Sequence, residues 1–385
     1  MRIVESAKDL ETLARELEGG PYIALDTEFM RDQTYWPKLC LMQVARPGGP
    51  AAIIDPLADG MDLSPIYKLI ADTGIVKVLH AARQDIEIFW HQGDVIPDPL
   101  FDTQIAAMVC GFGEAASYET LVRRLTNTEL DKSVRFTDWS RRPLSKRQLE
   151  YAIGDVTYLC EVYEKLESEL KRTGRESWVQ EEIAALKDSD LYELDPMNAW
   201  KRLKPRTTNK RFLAVLASIA AWRETEAQTR DIPRQRVVRD EALLEIASHP
   251  PEDGDALERI RAVPKGFAAS RSGKTLLDAI AAGLNGPPPK PLEIDRSRRK
   301  REPSPSAIDL LKTLLRLRAE ETKVAPRLIA SSDDVEKLAA REDDSVAALH
   351  GWRAEVFGKD AIALREGKLA LALENGEAVI VELED

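Results

Sequence analysis

The sequence predicts a multidomain chain, an α/β domain with a mixed sheet followed by two mostly α-helical domains. Three observations lead there. With 385 residues, the chain is longer than one core usually accommodates, since cores rarely keep growing past roughly 250 to 300 residues. Apolar runs alternate with amphipathic stretches over the first hundred residues, and helical periodicity dominates after them. Two connectors rich in Pro and basic residues interrupt that periodicity.

In order, YIALDTEF (22–29), LCLMQVA (39–45), AAIIDPL (51–57) and IVKVL (75–79) read as strands bounded by turn residues. Short Pro- or Gly-bearing turns join the first three, which suits antiparallel neighbours, and helical patterns after Leu79 suit crossovers. Helices are expected near 80–92, 102–110, 117–126 and 145–171. This first domain takes residues 1–175. A linker over 176–208 follows, where DPMNAWKRLKPRTTNK supplies Pro, Asn and basic residues. Phe212, Val215, Leu216, Ile219 and Trp222 then fall at helical spacing and open a compact helical domain over 209–286. NGPPPKP and RSRRKREPSPS mark a second linker, 287–305. The last domain, 306–385, opens with the amphipathic AIDLLKTLLRLRAEE and closes with KLALALENGEAVIVELE, whose alternation about Asn375-Gly376 predicts a hairpin. It echoes the domain before it: Pro233-Arg234 and Pro326-Arg327 each precede an aspartate, Asp240 and Asp333, seven residues after the proline. An internal repeat is expected from that echo.

Composition narrows the function classes. Hydrophobic content of 43% and charged content of 31% describe an ordinary globular protein. Cys40, Cys110 and Cys160 lie far apart with no C-x-x-C pair, so neither a disulfide framework nor a zinc cluster is expected, and a reducing cytoplasm fits. The N-terminus has no apolar signal region, and nowhere do about 18 apolar residues run together, so the reading is neither exported nor membrane-spanning. A net charge of −11 argues against indiscriminate coating of nucleic acid. Residues 201–239, however, carry 11 basic side chains against three acidic ones. That stretch, with Lys204 and Arg211 in it, is either a solvated face or a place for phosphate, and in so acidic a chain phosphate is favoured.

Asp26 and Glu28 stand one residue apart on one strand, so both carboxylates leave the same face. Burying the two together costs several kcal/mol unless a cation neutralises them, and a divalent metal does so best. Asp85 follows the strand IVKVL in the first turns of a helix, either as a surface acid at the helix dipole or as a ligand at a strand's carboxyl end. Tyr151 and Asp155 lie four apart on a long helix and share a face. Gly154 beside them weakens that helix by about 1 kcal/mol, which suggests close approach by another element.

D-x-E on a first strand, Asp in H-A-x-x-x-D and Y-x-x-x-D on a later helix together resemble the DEDD exonuclease superfamily in its tyrosine-bearing branch; the histidine-bearing branch has His where this chain has Glu150. ALDTEFMRDQTYWPKLCLMQVA, VLHAARQDIEIF, FDTQIAA and TDWSRRPLSKRQLEYAIGDVTYL look like the bacterial ribonuclease D family. Phe212 to Leu284, with Trp222-Arg223, Pro233-Arg234, DEALLEIA and LERIRAVP, resembles the helicase-and-RNase-D C-terminal (HRDC) module. The final segment would then be a second, divergent copy.

The resemblance implies a ribonuclease H-like exonuclease fold acting on RNA from its 3′ end and releasing 5′-mononucleotides, with transfer RNA precursors as substrate and the protein working as a monomer. It implies two divalent ions, Mg²⁺ or Mn²⁺, about 4 Å apart. Asp26 would bridge them, Glu28 and Asp155 would hold the ion bearing the water, and Asp85 would support the other through water. Tyr151 would position the nucleophile. Phe29 is either a wedge against the terminal base or a core residue, and His80 either a phosphate or ribose contact or a structural histidine. Of Tyr35 and Trp36, at least one, with Trp36 preferred, is expected to line the substrate groove. Two other classes stay open: a DNA exonuclease of the same superfamily, and a non-catalytic nucleic-acid adaptor. Gly273-Lys274-Thr275 imitates the end of a phosphate-binding loop, but Ala268 stands where that loop needs glycine.

Overall fold

The computed structural model describes residues 2–131, 133, 137–291 and 303–383. Its N-terminal part is built on a six-stranded sheet ordered β1-β4-β3-β2-β5-β6. The strands are β1 (Arg2–Val4), β2 (Tyr22–Met30), β3 (Lys38–Ala45), β4 (Ala51–Ile54), β5 (Val76–Leu79) and β6 (Leu100–Asp102). β2, β3 and β4 pair antiparallel, while β1 joins β4, β5 joins β2 and β6 joins β5 in parallel. The mixed sheet and its antiparallel opening are therefore as expected. β1 and β6 are new; three residues each give too short an alternation to read.

Helices α1 (Ala7–Leu17), α2 (Ser64–Ala71), α3 (Arg83–Gly93), α4 (Thr103–Val109) and α5 (Tyr118–Thr126) surround the sheet, and α6 (Lys146–Thr173) packs across β2, β3 and β4. α6 begins with a reciprocal capping box between Ser145 and Gln148 and ends at Gly174 in the left-handed region. Its buried stripe, Ala152, Val156, Leu159, Val162 and Leu166, recurs every three to four residues and faces the sheet.

The stretch 176–208 is not the loose connector expected. It holds α7 (Glu176–Ala184) and three 3₁₀ turns, and it buries Val179, Ile183 and Tyr192 in the first core and Trp200 in the second. Pro and Asn here cap and turn short helices rather than releasing the chain. The next unit comprises α8 (Lys210–Arg230), α9 (Arg234–Val237), α10 (Asp240–Ser248), α11 (Gly254–Glu258) and α12 (Arg271–Asn285) around its own core. Most of the second expected linker, 292–302, lies outside the described residues. The last unit has α13 (Pro305–Thr322), α14 (Pro326–Ile329), α15 (Ser332–Ala340), α16 (Gly351–Arg353), a π-helical turn (Ala354–Gly358), α17 (Lys359–Glu366) and the hairpin β7 (Leu369–Glu374) and β8 (Glu377–Glu382). Asn375 and Gly376 both have positive φ at its turn.

The echo between the last two units is structural, but one residue out from the Pro-Arg pairs. Left-handed caps at Asp231 and Lys323, short helices starting at Arg234 and Pro326, extended breaks at Val238 and Ala330, and helices starting at Asp240 and Ser332 all stand 92 residues apart. Buried Ile219, Ala227, Val237, Leu243 and Ile246 correspond on that spacing to buried Leu311, Ala319, Ile329, Val335 and Leu338. Pro233 caps its helix whereas Pro326 is the first residue inside its own, so the matching dipeptides occupy different positions.

All three cysteines are free, and no described helix is long and apolar enough to cross a membrane.

Candidate active site

A cavity of about 420 Å³ opens at the end of β2 between α3, α5 and α6. Strand alternation brings Asp26 and Glu28 to it from β2, and one helical turn brings Tyr151 and Asp155 from α6. A bulge between Glu28 and Phe29, where β3 carries Cys40 as an extra residue, turns the strand locally, and Phe29 lines the same cavity. One carboxylate oxygen each from Asp26, Glu28 and Asp155 lie within 4.8 Å of one another.

Asp85 reaches the cavity from the first turn of α3 but stands outside that trio of oxygens. It is 7% exposed and accepts a 2.5 Å hydrogen bond from the Thr27 hydroxyl. Burial pushes its carboxyl up to about 7 despite that bond. Burial, then repulsion from Asp155 and Asp85, raises Asp26 well above the usual carboxylate range. So many facing acids are poorly compensated by the protein alone. Oxygen-only donors at this spacing fit a hard divalent cation, which relieves the repulsion that the fold imposes.

The wall opposite is set by Asp102, a residue the sequence reading did not single out. Its buried carboxylate accepts from the backbone N–H groups of Ala81 (3.1 Å), Ala82 (2.9 Å) and Gln104 (2.8 Å). That fixes the turn from β5 into α3, including Ala81 at φ +57°, and so aims His80 and Asp85. Its only signal was the phrase FDTQIAA, which reads equally as a helix cap. His80 lines the cavity with Nδ1 3.0 Å from the Thr103 hydroxyl, and burial lowers its pKa, keeping the ring neutral near neutral pH. Tyr151 lies 6.1 Å from buried Trp139, ring to ring. Arg142 anchors the segment leading into α6: its guanidinium donates to both Asp55 oxygens at 2.5 and 2.7 Å and to the Cys40 carbonyl at 2.7 Å.

Three expectations need correcting or relocating. Neither Tyr35 nor Trp36 lines the acidic cavity. Both sit at the tip of the β2–β3 hairpin, which α8 and α9 grip. Asp231 accepts from both backbone N–H groups at 3.0 Å, the Tyr35 hydroxyl donates to buried Glu224, and Arg234 stacks 4.4 Å over the Tyr35 ring. Trp36 packs on His91 at 4.4 Å. Tyr35 is thereby buried, while Trp36 stays partly exposed. Gly154 is not crowded by another element, since a Cβ there would meet only the Tyr158 ring of its own helix at 3.7 Å; instead Tyr118 donates to its carbonyl at 3.0 Å. Lys204 and Arg211 do come together, but in a separate cavity of about 690 Å³ with Arg206, Asn209, Phe212 and His249. Gly273-Lys274-Thr275 lies in the first turns of α12. A Cβ on Gly273 would run into the Phe267 carbonyl oxygen, and Thr275 accepts from the Trp222 indole at 2.9 Å, so the tripeptide serves packing.

Comparison with known proteins accords with this geometry. Residues 1–171 match a family described as 3′-5′ exonuclease, and residues 212–280 match the HRDC domain. Ribonuclease D of Granulibacter bethesdensis is 48% identical over 382 residues, covering 98% of this chain and 96% of that protein. The chain belongs to the ribonuclease D family. Ribonuclease D of Nitrobacter hamburgensis is 45% identical over 99% of this chain and all of its own length. Among solved structures, Escherichia coli RNase D, described as an exoribonuclease involved in structured RNA processing, superposes with a TM-score of 0.79 at 31% identity, covering 95% of this chain and 98% of that one. Membership of the ribonuclease D family makes the chain a 3′-5′ exoribonuclease, a phosphodiester hydrolase.

Proposed function

We propose that the cavity at the end of β2 is where the chain removes 5′-mononucleotides from the 3′ end of RNA, with Asp26, Glu28, Asp85, Tyr151 and Asp155 as its working residues. The observation that carries this is the approach of three carboxylates to within 4.8 Å in one cavity also lined by Tyr151 and Asp85. Asp26, Glu28 and Asp155 would hold two divalent cations, with Asp85 behind them. When bound, such ions acidify the attacking water and stabilise the leaving 3′ oxygen of an in-line displacement.

The chain's own residues do the rest. Tyr151, held against Trp139, offers its hydroxyl one turn from Asp155 and orients the attacking water. Phe29 presents an apolar face beside the acids, on which a terminal base stacks. The Thr103 hydroxyl donates to the Leu79 carbonyl at 3.1 Å and so accepts from His80 Nδ1, which leaves Nε2 of the neutral ring to accept a hydrogen bond from a ribose hydroxyl. Lys204 and Arg211, with Arg206, hold phosphates further along the strand. Trp36 stands outside the acidic cavity at the junction of the two domains, against Asp231 and His91. Transfer RNA precursors, with a single-stranded 3′ tail on a structured body, are the substrate class we favour. We also assign the domains as 1–175, 209–286 and 306–385, the last a divergent HRDC-type copy.

The test is a time course on a 3′-extended transfer RNA and a matched DNA strand, with Mg²⁺, Mn²⁺ or EDTA, for the wild type and Asp26→Ala. Metal-dependent mononucleotide release from RNA, lost in the variant, is expected. Preference for DNA would overturn the substrate, and release from neither strand would overturn the catalytic reading.

A further inference from the structure

The last domain carries a cleft of about 720 Å³ lined by Lys312, Leu315, Arg316, Arg327, Ala330 and Val335, with Glu114 of the exonuclease domain and Asp333, itself paired with Lys337, also lining it. On the spacing of 92 residues that relates the two helical units, Arg316 takes the place of Glu224 and Pro326 that of Arg234. Those two residues of the first unit form the socket that encloses Tyr35, which is 8% exposed. The corresponding place in the last unit is the open cleft.

Its charge is more positive, because the gain at Arg316 outweighs the loss at Pro326. A buried carboxylate that accepts from a tyrosine has become an exposed guanidinium, and the arginine that neutralised it has become proline. Lys312 and Arg316, one turn apart on α13, repel each other by a few tenths of a kcal/mol. Neither they nor Arg327 make a side-chain ion pair among the described residues. Between the cations, Leu315, Ala330 and Val335 leave an apolar floor. A planar apolar ring joined to an anion suits such a place, as tyrosine with its hydroxyl suits the first.

Position supplies the source of that ligand. The cleft is tied to the exonuclease domain by Ala325 N–H donating to the Met108 carbonyl (3.0 Å) and Arg327 N–H donating to Glu114 (3.1 Å). Ala115, Ser117, Tyr118 and Glu119, which follow Glu114 directly, line the acidic cavity. Three peptide units separate Glu114 from Ser117, so at most roughly 11 Å parts the two rims there. We infer that this cleft binds one nucleotide of the RNA chain on the 5′ side of the end being removed, base on the apolar floor and phosphate on Arg316, Lys312 and Arg327. This rests on the ribonuclease reading above.

The experiment uses the full chain and the triple variant Lys312→Ala, Arg316→Ala, Arg327→Ala, all exposed positions. Hydrolysis and fluorescence-anisotropy binding are measured with a long single-stranded RNA and with a dinucleotide across a salt series. For the long RNA, KM and Kd should rise about tenfold or more, and the slope of log affinity against log salt should fall by about 0.7 for each phosphate that the variant no longer neutralises. Dinucleotide turnover should be unchanged, and Arg316→Lys should keep most of the affinity. Wild-type affinity and salt slope in the triple variant would overturn the inference, as would an equal loss on the dinucleotide. Should the wild type bind long RNA but hydrolyse nothing while the variant still loses affinity, the exonuclease reading would fall and the cleft would stand.

Discussion

Arg234→Ala should loosen the grip of the first helical domain on the β2–β3 hairpin. The side chain of Glu224 is 3% exposed and that of Arg234 27%, with contacts at 2.5 and 2.6 Å. Removing one partner of a buried pair costs about 3–5 kcal/mol, because the other charge stays buried without compensation. The lower end applies here, since Arg234 keeps some solvent and Arg202 remains 4.0 Å from Glu224. Loss of the stacking on Tyr35 adds about 0.5–1 kcal/mol. A destabilisation of about 3–4 kcal/mol is expected. In urea, at a slope of about 3 kcal/mol per molar, the midpoint moves down by about 1 M. Burial alone would push Glu224 up, but hydrogen bonds from Arg234 and Tyr35 outweigh it and hold the carboxyl below its ordinary value. A carboxyl depressed on folding contributes stability that is fully present above its unfolded pKa, about 4.3, and is lost as pH falls through the folded value. The wild type should therefore weaken below about pH 4 on this account, and the variant should lack that component. Replacing both Arg234 and Glu224 by methionine should recover most of the loss. A single variant as stable as the wild type, or a double variant no better than the single, would refute the pair as the source of the grip.

Asp155→Ala should lower kcat at least about a thousandfold with an unchanged circular dichroism spectrum, because it removes a member of the carboxylate trio. Tyr151→Phe should cut kcat by about ten- to a hundredfold and leave KM nearly alone; an equal change in both would mean that it binds substrate rather than positions water. EDTA should stop nucleotide release, and adding Mg²⁺ to stripped protein should raise its Tm, by about 2.7 kcal/mol of stabilisation at a hundred times Kd. Absence of any Tm response, measured by calorimetry, would speak against a cation at the three acids. Gly273→Ala should destabilise the first helical domain by about 1–3 kcal/mol, since its Cβ would press on backbone rather than on a flexible side chain.

What could be read from the residues was what regular periodicity controls. Two-residue alternation put Asp26 and Glu28 on one face, and four-residue spacing put Tyr151 above Asp155. The bulge beside Phe29 depends on pairing with β3, which no local pattern reveals. The burial of Tyr35 was hidden because an exposed-looking aromatic beside an acidic motif has the same local sequence whether a base or a helix covers it. Burial of the 176–208 stretch was hidden for a similar reason: Tyr192 and Trp200 are spread among polar residues and find their cores only in three dimensions. The repeat was legible as a resemblance but its register was not. A shared dipeptide is weaker evidence of equivalence than shared caps and buried positions.

The hairpin that carries the acids near the end of β2 is held at its tip by another domain, which makes it a ruler. From Glu28 to Tyr35 is seven residues, at most about 24 Å even if fully extended. If a folded RNA body rests on the helical domain, as proposed above, its distance from the point of cleavage is bounded by that span, because the strand between them cannot lengthen. Trimming would then stop when the single-stranded tail becomes too short to span that distance. Product length would be encoded in the geometry of one β-ribbon, without any base being read.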